Sequence, residues 1–342
     1  MAERVLITGA AGFIGRHLVI DQLERGRQVV AVDLDLEPLR ALQSQTNPIL
    51  LQGDFRDQAL LEPHLPTSDV CFHLASVHLE SRASEDTYWE VNVAGARDLV
   101  ERCHRAGVGR FVHCSSVGVY GDLSDPPADE ETFCQPDTTY EKTKLAGERA
   151  VEEYARRSGY PVVIVRPSWV YGPGCPRTRK LFNSVEKGWF FFVGNGESLR
   201  HPIYIEDMVA AFETAATHPA APGDTFVIAG PRAVTVQELA REIAVALHAR
   251  PPRLRLPTPV VWAGCSLVEF GAGILGLEAP FTRRSMKFFS GNSAFNTEKA
   301  ERQLDFKPEI DLEQGLMRTV RLGSEVAQSV KPPRRASRPA SK

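Results

Sequence analysis

The chain has 342 residues, 43% of them hydrophobic, and a formal net charge of -3. That length and apolar content allow a large buried core, in one big domain or in two that share an interface. The slightly acidic balance excludes the broad basic field with which a nucleic-acid binder neutralises phosphates, so no nucleic-acid partner is expected.

In chain order, Val5 to Thr8, Val29 to Asp33, Ile49 to Leu51, Val70 to Leu74, Arg110 to Cys114 and Val162 to Arg166 read as short β-branched strands. Between them the spacing predicts helices over 13–25, 35–44, 88–106 and 138–158, the last starting after Pro136 and stopping before Gly159. This alternation predicts an α/β fold: a doubly wound parallel Rossmann sheet joined by right-handed crossovers. After Gly172 proline and glycine become frequent, which predicts a smaller, irregular C-terminal lobe with helices over 206–216, 236–247 and 312–322. The expected division is a nucleotide-binding domain over 1–172, to which segments of 199–230 return, and a substrate lobe mainly over 173–325. Residues 330–342, basic and rich in proline and serine, are expected to be a disordered tail.

The apolar stretch 259–277 contains Glu269 and several glycines, so it falls short of the roughly 20 apolar residues of a membrane span and reads as a buried or surface-docking helix. The six cysteines, Cys71, Cys103, Cys114, Cys134, Cys175 and Cys265, are scattered with no CxxC pair. They fit a reducing, cytoplasmic setting, and the N-terminus lacks the pattern of a signal peptide. No HExxH motif or His/Cys cluster occurs, so no metal is expected.

Gly9, Gly12 and Gly15 in "ITGAAGFIG" follow a strand and open a helix, the context of a dinucleotide fingerprint. Gly9 permits the tight turn, Gly12 lets a pyrophosphate approach the backbone, and Gly15 lets the helix pack on the sheet. The helix N-terminus then offers free N–H groups to the phosphates. Asp33, about 20 residues on, can accept hydrogen bonds from the adenosine ribose, which favours NAD over NADP because a carboxylate repels a 2′-phosphate. Arg16 softens that preference if it swings towards the ribose. "GDFRD" and "HLAS" sit past strands at the carboxyl edge; there Asp54 is either a partner of the adenine amino group or a cap for the next helix.

Tyr140 and Lys144 are four apart in a predicted helix and share a face. Ser115 and Ser116 follow the Arg110 to Cys114 strand at the binding edge. An alcohol oxidation needs a base, and a tyrosine serves once its pKa, about 10 in isolation, comes down near neutrality. Lys144 and the positive charge of an oxidised nicotinamide favour the phenolate, while Ser116 holds the substrate oxygen beside Tyr140. A solvated helix face also produces Tyr/Lys pairs. His73, His113 and His201 each adjoin a strand-like run and are read as structural.

With these motifs, and with "NVAGARDLV" from Asn92 and "RPSWVYGPG" from Arg166, the chain resembles the extended short-chain dehydrogenase/reductase superfamily from Val5 to about Leu322. The resemblance implies Ser116, Tyr140 and Lys144 as catalytic residues. It places Gly9, Gly12, Phe13, Ile14, Gly15, Asp33, Asp54, Phe55, Leu74, Ala75, Tyr140, Lys144, Pro167 and Val170 around NAD, and it implies a homodimer.

Two branches compete for the substrate: nucleotide-sugar epimerases and dehydratases, and 3β-hydroxysteroid and sterol-4-carboxylate 3-dehydrogenases. Arg200 suits a substrate diphosphate or carboxylate. The run from "LPTPVVWAGCSLVEFGAGILG" onward resembles the sterol branch. Trp189, Phe190, Phe191, Phe192, Trp262, Phe270, Phe281, Phe288 and Phe289 either line a pocket for a flat apolar molecule or belong to the core. The expectation is NAD-dependent oxidation of a secondary alcohol on a lipophilic, sterol-like substrate, with decarboxylation where a carboxylate lies β to the new ketone, and with peripheral contact at a membrane surface. The alternatives are a nucleotide-sugar 4-epimerase and a non-catalytic NAD-sensing module.

Overall fold

The computed structural model describes residues 3–42, 47–78, 83–274, 289 and 291–329. Six strands take the expected places: β1 (Arg4–Thr8), β2 (Gln28–Asp33), β3 (Ile49–Gln52), β4 (Val70–His73), β5 (Arg110–Cys114) and β6 (Val162–Pro167). Three short strands follow that concern the site, β7 (Trp169–Tyr171), β8 (Phe192–Val193) and β9 (Leu199–Arg200), and then β10 (Pro202–Tyr204) and β11 (Thr225–Ile228). The main sheet has seven parallel strands in the order β11-β6-β5-β4-β1-β2-β3. Chain direction across the sheet reverses between β1 and β4, so the carboxyl ends of these two strands flank a crevice.

Both faces of the sheet are covered, and that is why its strands read as near-continuous apolar runs rather than alternating ones. Val5, Ile7, Phe72 and Val112 pack on one side with Leu18, Val19, Met208 and Phe212. Leu6, Cys71 and Phe111 pack on the other with Leu99, Val100, Cys103 and Val151. Helix Ile205–Thr217 belongs to the first of these layers, and β11 pairs with β6, so the chain after Gly172 returns to the nucleotide-binding sheet.

Two expected helices take other forms. Over 35–44 the described part is a 3-10 turn, Glu37–Leu42, started by Asp35 accepting from Glu37 N at 3.0 Å; 43–44 lie outside the described residues. The helix expected over 88–106 starts earlier, where Ser84 caps Glu85–Trp89, and widens into a π turn at Glu90–Gly95 before continuing as Ala96–Arg105. Helix Pro176–Glu186, with proline in its first turn, is an addition to the expected elements.

In the C-terminal part, helix Thr258–Ile274 sets Val261 and Cys265 against Val193 of β8 and leaves Val260 and Leu267 exposed. Among the described residues no helix is long and apolar enough to cross a membrane. Phe190 and Phe192 are buried in the core, whereas Trp189 is 71% exposed. Phe281 and Phe288, the Phe270 side chain and the 330–342 tail lie outside the described residues.

Candidate active site

The glycine loop occupies the crevice at the end of β1. Gly9 has φ +69°, and a Cβ on it would stand 2.6 Å from the Ala75 nitrogen, so this turn is left-handed and pressed against the backbone of Leu74 and Ala75. Leu74 N donates to the Thr8 carbonyl at 3.0 Å, which holds the two segments together. A Cβ on Gly15 would stand 2.1 Å from the Gly9 carbonyl oxygen: the third glycine makes room for the loop itself rather than for the sheet. Gly12 precedes helix Phe13–Glu24 with no side-chain cap, and a Cβ on it would meet only the Gly9 oxygen, at 3.1 Å. The first-turn amides of Phe13 and Ile14 therefore face a surface where a phosphate can approach.

Asp33, at the end of β2, accepts from Ala11 N at 2.9 Å and so braces the loop. A turn with an uncapped helix N-terminus, no acidic residue in its first turn, and a carboxylate beside it fits a dinucleotide. Arg16 is committed elsewhere: its guanidinium donates to the Pro173 carbonyl at 3.2 Å, in the loop after β7. The softening of NAD preference expected from Arg16 has no basis in this geometry.

Past β3, Asp54 accepts from Arg56 N at 2.9 Å and from Arg56 Nη2 at 2.7 Å. Its hydrogen bonds with Arg56 hold the carboxyl below the usual carboxylate range. The cap of the next helix is Asp57, which accepts from Ala59 N at 2.9 Å, so the capping alternative for Asp54 falls away. Phe55 is 5% exposed and its ring lies in the core, which leaves only its backbone for a ligand.

Strand β5 delivers the two serines. Ser115 is buried, while Ser116 caps the 3-10 turn Val117–Tyr120 by accepting from Gly118 N at 3.0 Å. The helix Thr139–Ser158 starts at a capping box, Thr138 with Glu141, which puts Tyr140 in its first turn. Ser116 stands near enough to the Tyr140 hydroxyl to favour its ionised form, and the His78 ring lies 5.6 Å from the Tyr140 ring. One helical turn on, Lys144 is 4% exposed and donates through Nζ to the Cys114 carbonyl at 2.7 Å.

Burial, and then the neighbouring Cys114, push the phenol up to about 12, while Arg177 and Ser116 pull the other way. Lys144 spends its ammonium on the Cys114 carbonyl and has its own pKa lowered by burial. The protein groups alone therefore do not bring Tyr140 towards neutrality.

Sequence reasoning left Asn92 inside a motif without a role. Its side chain accepts from Val77 N at 2.8 Å and donates to Val77 O at 3.3 Å and to Thr143 Oγ1 at 3.0 Å. It thus clamps the segment after β4 to the helix that carries Tyr140. The local signal is an amide in the π turn Glu90–Gly95; both of its partners are distant in sequence.

The histidines are internal. His73 Nδ1 meets Thr8 Oγ1 at 2.7 Å, and burial, followed by the charge of Lys144, pushes the ring down to about 3. His113 stacks beside it at 5.4 Å. His201 donates through Nε2 to the Gly230 carbonyl at 2.8 Å and accepts from Phe295 N at 3.2 Å. Pro167 ends β6 opposite Ile228, and Val170 pairs with Ile203 in the β7–β10 ribbon. Arg200 is 4% exposed and donates to the carbonyls of Leu199 at 2.5 Å and Gly291 at 2.7 Å, with burial lowering it to about 10.

A dinucleotide turn at the sheet reversal, with a Ser–Tyr–Lys set on the adjoining strand end and helix, defines an NAD-linked enzyme of the short-chain type. Residues 5–229 match the NAD dependent epimerase/dehydratase family, and the chain belongs to it. The chain is 33% identical over 261 residues to dTDP-D-glucose 4,6-dehydratase of Mus musculus, covering 71% of this chain and 72% of the relative. It is 31% identical over 332 residues to 3 beta-hydroxysteroid dehydrogenase/Delta 5-->4-isomerase of Mycobacterium tuberculosis, covering 92% and 88%. Among solved structures, dTDP-glucose 4,6-dehydratase from Bacillus anthracis in complex with NAD superposes with a TM-score of 0.76 at 21% identity, over 96% of this chain and 98% of that one. That last likeness is one of fold. NAD is the cofactor of the family.

Proposed function

We propose that the protein oxidises a secondary alcohol on a lipophilic, sterol-like ring, with Tyr140 taking the hydroxyl proton. NAD, held by the Gly9 to Gly15 loop and Asp33, supplies the hydride acceptor when bound. Ser116 keeps the substrate oxygen against the phenol. Lys144, anchored on Cys114, adds a positive charge in the same buried space. Starting from a phenol near 12, working at neutral pH takes about 7 kcal/mol at about 1.4 kcal/mol per pH unit, so the charge of the oxidised cofactor has to contribute.

The observation that carries the substrate class is the likeness to the hydroxysteroid dehydrogenase, which continues through the C-terminal part of the chain over 92% of its length. The buried position of Arg200 adds support, since its Nη1 donates to the carbonyls of Leu199 and Gly291. Where a substrate bears a carboxylate β to the new ketone, loss of carbon dioxide follows from the chemistry of the product. NAD is preferred over NADP because the Asp33 carboxylate, beside the glycine loop, would repel a 2′-phosphate. The nucleotide-sugar reading is supported by the 33% identity to a dehydratase.

The test follows reduced-cofactor absorbance with NAD and 3β-hydroxysteroids in one cuvette and UDP- or dTDP-sugars in another. Net accumulation with steroid alone supports the proposal; sugar interconversion without net reduction overturns it. Tyr140→Phe should abolish turnover and leave NAD binding nearly intact.

A further inference from the structure

Beneath the Ser116–Tyr140 pair lies a buried ionic cluster that the chemistry does not use directly. Arg166, on β6, donates through Nε to Glu148 Oε2 at 3.1 Å and pairs through Nη2 with Glu148 Oε1. Its remaining nitrogen, Nη1, donates to the Tyr120 hydroxyl at 2.7 Å, and its guanidinium carbon stands 5.1 Å from the centre of the Tyr120 ring. Arg166 is 6% exposed, and Glu148 and Tyr120 are 2% exposed each. A charge pair this deep is not retained cheaply, because desolvation offsets much of its attraction.

What the cluster joins is informative. Glu148 lies one helical turn beyond Lys144 and two beyond Tyr140, on the same face of helix Thr139–Ser158. Tyr120 closes the 3-10 turn that Ser116 caps. Arg166 therefore ties the helix that carries the phenol to the turn that carries the serine, and its planar fork fixes both contacts in direction as well as distance. A lysine or an apolar contact would leave the turn free to shift along the helix.

We propose that Arg166, Glu148 and Tyr120 are positioning residues that set where Ser116 stands against the Tyr140 phenol. The proposal rests on Tyr140 being the base, and its deciding readout, the Tyr140 titration, needs no substrate.

The ultraviolet phenolate titration of Tyr140 is isolated in the NAD-saturated protein as the difference between each variant and the same variant carrying Tyr140→Phe. Tyr120→Phe removes only the hydroxyl that Arg166 holds; its Tyr140 titration is expected to move up by about half to one pH unit as the serine contact loosens. Turnover should fall about 10- to 100-fold, the size of effect that a misplacement near 1 Å produces, with NAD affinity unchanged. Glu148→Gln, which keeps the shape and weakens the pairing, should move the titration in the same direction and serves if Tyr120→Phe folds poorly. A lowered melting temperature with an unmoved Tyr140 titration in both variants makes the cluster merely structural and overturns the proposal. Loss of turnover with every substrate, alongside the expected titration shifts, leaves the positioning role standing and counts against the substrate reading instead.

Discussion

Lys144 donates to the Cys114 carbonyl at 2.7 Å and so pins the helix that carries Tyr140 to the end of β5. The contact is buried and charged, the kind of hydrogen bond whose removal is felt at about 1.5–3 kcal/mol. Lys144→Met should therefore lower the melting temperature as well as turnover. Lys144→Arg should not rescue either, because a fork of donors does not fit where one ammonium points at one carbonyl. Thermal unfolding beside turnover checks this; a variant with native stability would show that the tether is idle.

Gly12 and Gly15 should separate binding from folding. A Cβ on Gly15 would meet the Gly9 oxygen at 2.1 Å, and no flexible side chain is there to move aside, so Gly15→Ala should unfold the loop or the domain. A Cβ on Gly12 would stand 3.1 Å from that oxygen, a tight contact that a shift of a few tenths of an ångström relieves. Gly12→Ala should fold with a stability change below about 1 kcal/mol and lose NAD affinity tenfold or more, since the methyl fills the face left for a pyrophosphate. Calorimetric NAD binding to the folded variant decides it: unchanged affinity would mean that the turn is only a turn.

His73 gives the fold an acid sensitivity of known sign. Its ring is pushed down to about 3 in the folded chain, so below the ordinary histidine value the unfolded chain takes up a proton that the folded chain refuses. Stability is full above about pH 6.5 and falls by about 1.4 kcal/mol per pH unit on the way down to about 3. His113, shifted in the same direction by burial, adds to the loss. Urea unfolding of His73→Asn between about pH 4 and 6 should show a slope shallower by that amount. An identical slope would mean that the ring is charged in the folded protein.

The strands were legible because a doubly covered parallel sheet writes itself as continuous β-branched runs, and Val162 to Arg166 shows it as well as Val5 to Thr8 does. Segments of 199–230 were expected back at this domain, but the strand Thr225–Ile228 and its place beside β6 were not legible, since nothing local says which of them closes the sheet edge. Pro136 and Gly159 bounded the Tyr140 helix from local chemistry alone, and the structure starts it at the capping box of Thr138 and Glu141. The partners of its lysine and of Asn92 were hidden for the opposite reason: Cys114 and Val77 meet them only once the sheet is built. Arg200 shows the same limit, because a surface ligand-binding arginine and one folded onto the Gly291 carbonyl read alike in sequence.

The account turns on a phenol that burial holds near 12 and that bound NAD brings within reach of neutral pH. The direct measurement is the difference ultraviolet titration between the unmodified chain and Tyr140→Phe, without NAD and then with saturating NAD. The account predicts a Tyr140 phenolate absent below about pH 11 without NAD, and a titration lowered by several pH units with it. A Tyr140 titration that stays in place when NAD is bound would contradict it.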